Sequence, residues 1–165
     1  MASRFRDSSL ILSIIFCGTL IGGFAYSHAV SIPVYVAAPQ SAVLAIGPYG
    51  IREEVFWMFM HPILVATFVV TAILNWKVEA RRNLIVSAIG IYCIALVATH
   101  LYFIREMVAF AITPQSQIPI SEWMAHGVQW QRLSWMRGGL MYAAEISLLL
   151  ALMRPGLANP EHSAQ

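Results

Sequence analysis

The chain has 165 residues, of which 59% are hydrophobic and only 11% charged, and its mean hydropathy is +0.69. Soluble domains carry about 25% charged residues, so this composition excludes an ordinary water-soluble globule, which could not cover its own surface. A net charge of +2 with scattered arginines gives no nucleic-acid-binding patch.

The length suits one domain. Cys17 and Cys93 both lie inside apolar runs and read as small buried hydrophobes, not as a disulfide framework. A helix needs roughly 20 apolar residues to cross a hydrocarbon core. Four stretches reach that length, near residues 10–30, 55–74, 84–104 and 133–153. They predict an all-α integral membrane four-helix bundle. Arg4 and Arg6 before the first run, with Ser27-His28-Ala29 after it, also fit a signal peptide, but the apolar run is long for one. An uncleaved first helix is the preferred reading.

Arg4, Arg6, Lys77, Arg81, Arg82 and Arg154 fall on one side of such a bundle, and Arg52, Arg105 and Arg132 on or near the other. The positive-inside rule makes the first side cytoplasmic, with both termini on it, in a multi-pass protein of the cell (inner) membrane. Outer connections are expected over 31–53, with Pro33, Pro39, Gly47, Pro48 and Gly50, and over 113–132, with Pro114 and Pro119. In the second, Ser121 is placed to cap a short helix carrying Trp123, Met124, Val128 and Trp130 to the lipid interface.

Position converts to depth at about 1.5 Å per residue. His61 lies roughly 9 Å below the outer end of the second helix and His100 roughly 6 Å below that of the third. Tyr26 and His28 close the first helix on that side. Arg137 sits about one turn into the fourth helix and Glu145 about three turns in. Every helix therefore brings polar groups to the outer half, while the inner half reads as almost wholly apolar. Pro62, directly after His61, is placed to kink the second helix or to be tolerated in its outer turn. Gly22-Gly23 and Gly138-Gly139 allow close helix approach.

The histidines leave several chemistries open. His61 and His100 are candidate axial haem ligands on facing helices. His28, His61, His100 and His126, with Glu106, are candidate ligands of a zinc, copper or iron ion. Nothing in their spacing demands haem or metal, and interfacial histidines bonded to water or a neighbour are the plainer reading. Glu145 is a candidate proton-relay carboxylate; its plainer role is a tie to Arg137 or to a polar group across the bundle.

Trp130, Arg137 and the stretch GGFAYSHAVSIPVYVAAP resemble the anthrone oxygenase-like family of small four-span membrane proteins. In that family the last helix opens with a tryptophan, followed by a histidine four residues on and an arginine three further. Ser134 stands here at the histidine position, and His126, one turn before Trp130, is the candidate substitute. The resemblance implies a four-helix membrane bundle and, for some members, oxidation of a polyphenolic anthrone to a quinone.

The reading that follows is a membrane oxidoreductase or oxygenase acting on a small lipophilic aromatic substrate. Its catalytic candidates are His61, His100, Arg137 and Glu145, and its substrate-binding candidates Trp57, Phe103, Trp130 and Trp135. The alternatives are a non-catalytic accessory subunit of a larger membrane complex, docked to a membrane protein partner, and a small transporter or lipid-binding protein; the lipid bilayer and a second copy of the chain, in a homo-oligomer, are the other candidate partners.

Overall fold

The computed structural model describes residues 2–37, 52–112 and 118–155. Pro39, Gly47, Pro48, Gly50 and Pro114, on which much of the loop expectation rests, lie outside the described residues. Every described element is helical: α1 (Ala2–Tyr26), a first π-helical segment (Ser27–Ser31), α2 (Ile32–Ala37), α3 (Glu53–Asn75), α4 (Glu79–Ala98), a second π-helical segment (Thr99–Phe103), α5 (Ile104–Ile112) and α6 (Ile120–Met153). The π segments join their neighbours end to end, so the described residues form four rods, each long and apolar enough to cross a membrane.

The helices follow from continuous apolar sequence with few breakers. Glu53 and Glu54 occupy the first turn of α3, where carboxylates complement the helix dipole. Pro62 lies inside α3, whose helix runs unbroken to Asn75. A tight turn then reverses the chain, with the Val78 amide bonded to the Asn75 carbonyl at 2.9 Å and the Arg81 and Arg82 amides bonded to the Val78 carbonyl.

α1 packs against α3 and α6, and α4 packs against α6 and α3, closing the four rods into a ring. Leu10, Cys17, Leu20, Leu64, Phe68, Ile85, Ala88, Tyr92, Met141, Ala144 and Leu148 fill the centre. The outward faces are apolar too, with Phe59, Ile73, Ile94, Met136 and Ile146 all exposed. One glycine of each expected pair makes a close contact. A Cβ on Gly23 would meet Phe56 at 2.6 Å and one on Gly138 would enter the Phe24 ring, whereas Gly22 and Gly139 face open space.

At one end of the ring, called basal below, the buried Arg81 guanidinium joins three helices. It donates to Asp7 Oδ1 at 2.5 Å and twice to the Arg154 carbonyl, at 2.9 and 2.8 Å. Arg6 Nε donates to the Leu74 carbonyl beside it. The start of α1 and the end of α6 therefore lie at the same end.

Three expectations change. The fourth helix starts at Ile120, not near 133, because Pro119 takes the N-cap position and nothing after it breaks the helix. Ser121 is thus inside the first turn, and no side chain caps α6. Second, the inner half is not wholly apolar: Ser13, Thr71 and Asn75 are completely buried between α1 and α3. Ser13 and Thr71 share a hydrogen bond of 2.9 Å, Thr71 donates to the Ser9 carbonyl and Asn75 donates to the Thr71 carbonyl. Small side chains that bond each other and the backbone barely lower the hydropathy of a span, so the seam stays hidden in the sequence. Third, neither the first nor the third rod is a regular α-helix at its distal end, the end opposite Arg81.

Candidate functional site between the two π segments

A π turn closes its hydrogen bond from residue i+5 to residue i and so holds one residue more than an α turn. Here the Ile32 amide bonds the Ser27 carbonyl, and the Ile104 amide bonds the Thr99 carbonyl. Such insertions rotate the side chains on either side relative to each other and occur often at functional sites. Each of these segments carries a histidine, and the two flank the same part of α6.

Arg137 is the centre of the arrangement. Its Nη1 donates to Thr99 Oγ1 and its Nη2 to Ser134 Oγ, both at 2.9 Å. Thr99 can accept because its own hydroxyl proton goes to the Ala95 carbonyl at 2.7 Å. The guanidinium carbon also lies 4.4 Å from the centre of the Phe103 ring and 5.6 Å from that of Phe24. Two hydroxyls and two aromatic faces thus hold the charge, and its Nε is buried without a partner. Among the described residues no carboxylate pairs with it.

His28 shares the Phe24 ring with Arg137, at 3.9 Å between ring centres. Trp130 stacks on the imidazole at 6.1 Å and Trp135 meets it edge-on at 4.9 Å. The imidazole is 3% exposed, and its Nδ1 is 2.9 Å from the Phe24 carbonyl. A carbonyl only accepts, so Nδ1 carries the proton and Nε2 keeps its lone pair. That Nε2 is buried and has no partner. The arrangement is a neutral base beside a cation, inside an aromatic wall. Trp130 also donates through Nε1 to the Phe103 carbonyl at 3.2 Å, which anchors α6 to the second π segment.

The sequence candidates divide. Arg137, Phe103, Trp130 and Trp135 meet in this cluster. His61 stands to one side, sharing a 2.5 Å hydrogen bond with buried Tyr92 and stacking on Trp57 at 5.8 Å. Trp57 lines a separate cleft of about 520 Å³ between α1 and α3, with Gly22, Gly23, Phe56 and the bonded pair Ser27–Glu53. His100 is exposed, its Nδ1 donating to the Leu96 carbonyl.

Glu145 does not tie to Arg137. It points across to α1, where its Oε1 lies 3.1 Å from the Cβ position of Gly18. The metal shell drawn from histidines and Glu106 does not assemble: among the described residues no three His, Cys, Asp or Glu side chains converge. The imidazoles sit on different faces of different rods, and two of them spend Nδ1 on a backbone carbonyl one turn earlier.

Sequence reading missed Phe24 and Thr99 as members of the site and Tyr92 as the partner of His61. Phe24 falls four residues before His28, a helical spacing that points to a shared face. Compared with protein-family models, curated proteins and solved structures, the chain has no significant match.

Proposed function

We propose that this protein is a multi-pass protein of the cell's inner membrane, with cytoplasmic termini, that oxidises a small lipophilic aromatic substrate at the His28–Arg137 cluster. The observation that carries this reading is the unpartnered, buried Nε2 of His28 next to a guanidinium that has no carboxylate partner among the described residues. An acidic C–H or O–H on an aromatic substrate loses its proton to Nε2, and Arg137 stabilises the phenolate or enolate oxygen left behind. The Phe24, Phe103, Trp130 and Trp135 rings bind the flat substrate. The electron-rich anion then reduces dioxygen. For a methylene substrate the two oxygen atoms end as one carbonyl oxygen and one molecule of water. The likeness of Trp130 and Arg137 to the anthrone oxygenase-like pattern agrees with this chemistry, with His28 supplying from the first rod the imidazole that Ser134 lacks.

The test is oxygen uptake by the purified protein in lipid nanodiscs with an anthrone and with simple phenols. Wild type is expected to turn one of them over. His28→Gln and Arg137→Lys are each expected to lower the rate by about 10²–10⁴-fold, the usual contribution of a positioned base or of charge stabilisation. No uptake by folded wild type, or full activity in His28→Gln, overturns the assignment.

A second reading, the accessory subunit, draws on the distal part of α6. Ile120, Met124 and Val128 are exposed there, and the last two line a trough with Gln129 and Arg132. Gentle detergent extraction decides it: migration only as a monomer or homodimer removes this reading.

A further inference from the structure

The cleft between α1 and α3 lies outside the His28–Arg137 cluster, and its two ends differ in polarity. It runs from Ser27 down to Thr19, about 12 Å along α1. Ser27, Arg52 and Glu53 stand at its distal end, and Gly22, Phe56 and Trp57 line it below them. The deepest polar group, the Thr19 hydroxyl, donates to the Ile15 carbonyl of its own helix at 2.8 Å. The cleft opens outward, since Thr19, Gly22 and Arg52 are exposed while Ser27 is buried. A Cβ on Gly22 would meet nothing within 4 Å, so the middle of the slot is free.

The distal end holds an acceptor whose need is not met. Ser27 Oγ donates to Glu53 Oε2 at 2.5 Å, but Glu53 Oε1 is buried and has no partner among the described residues. A carboxylate oxygen shut off from water in this way requires a donor. Arg52 brings the opposite charge to the same mouth. Its Nε donates to Glu54 at 2.9 Å, a bond that leaves both Nη groups to meet an anion. A carboxylate and a guanidinium above an apolar slot of about 520 Å³ complement a zwitterionic head on a hydrocarbon tail. A flat aromatic molecule matches only the slot, and a free amine or phosphate only the mouth.

We propose that this cleft binds one phospholipid with a primary ammonium head group, a phosphatidylethanolamine of the distal leaflet. The ammonium donates to Glu53 Oε1, the phosphate accepts from Arg52, and an acyl chain lies over Gly22 against Phe56 and Trp57. A choline head has no N–H to donate and a glycerol head carries no positive charge, so Glu53 is the residue that reads the head group. The lipid site rests on the membrane reading given above but not on the oxidation, because no residue of the His28–Arg137 cluster takes part.

The experiment is native mass spectrometry of the full chain in detergent, titrated with ethanolamine, choline and glycerol phospholipids of identical acyl chains. Wild type is expected to bind the ethanolamine lipid about tenfold more tightly than the choline lipid, the difference made by one charge-assisted hydrogen bond. Glu53→Gln, whose amide oxygen still accepts from Ser27, is expected to bind both lipids alike, at the level of the choline lipid. Gly22→Leu fills the slot and is expected to lose both, whereas Glu54→Gln, outside the cleft, is expected to keep the wild-type preference. Equal binding of the three lipids by wild type, or a preference that survives in Glu53→Gln, overturns the proposal. A lipid-free dimer that Gly22→Leu abolishes would put a second copy in the cleft and overturn it as well. Release of the chain from vesicles by alkaline carbonate would refute membrane insertion, and the lipid site with it.

Discussion

A guanidinium in an apolar bundle must be compensated, and Arg137 is compensated without an acid. The hydroxyls of Thr99 and Ser134 take two of its protons and the Phe24 and Phe103 rings lie under its charge. A desolvated cation–π contact contributes about 2 kcal/mol, so the aromatic pair matters as much as the hydrogen bonds. Phe24 has a second task, since the His28 imidazole rests on the same ring. Gly138 leaves the space that this ring occupies. Gly138→Ala is therefore expected to cost about 1–3 kcal/mol by overpacking, and to disturb both His28 and Arg137, which rest on Phe24. Gly139→Ala, which meets nothing, is expected to be neutral or to stabilise by up to about 1 kcal/mol through helix propensity. Thermal unfolding of the two variants in the same detergent separates them, and equal behaviour would contradict the packing assigned to Gly138. Of these residues, Arg137 is conspicuous in the sequence because a charge stands in an apolar run. His28 is not, because its meaning depends on which nitrogen its neighbours leave free.

The π segments are the elements on which the site depends. SHAVS and THLYF have no local signature that separates them from α-helix, and the sequence reads through them at a constant 100° per residue. Each extra residue changes which side chains face α6. His100 lies inside the second π segment and Glu106 just after it, so a constant rotation per residue does not give their relative direction. The bond from Trp130 Nε1 to the Phe103 carbonyl secures this segment against α6. Trp130→Phe keeps the ring but leaves that carbonyl unpaired, and is expected to cost about 1–3 kcal/mol. It is also expected to speed amide exchange at Thr99–Phe103 more than in α4; equal protection in both places would deny the anchoring role. The presence of four long apolar segments was legible in the hydropathy pattern. The start of α6 was not, because Pro114 and Pro119 read as loop although the helix begins directly after the second proline.

At the scale of the molecule, the basal end is closed by Arg81, which is 5% exposed and joins α1, α4 and the end of α6. Its charge-assisted bonds are worth about 1.5–3 kcal/mol together, discounted because Asp7 is partly in contact with solvent. Arg81→Leu is expected to lower the unfolding temperature and loosen the end of α6. An unchanged unfolding temperature would mean that the helices close without it. Reporter fusions at the two termini are expected to report the same, cytoplasmic, compartment, and opposite compartments would refute the four-span topology. The all-helical class, the four long apolar segments and the concentration of charge at their ends followed from sequence alone, because hydropathy and helix length are local, additive properties of a chain. The placement of Glu145 against α1, the free nitrogen of His28, the rotation imposed by the π segments and the buried Ser13–Thr71–Asn75 seam were decided only by the tertiary structure. Each depends on which faces of different helices meet, and that is settled by packing across the bundle and not by any one segment.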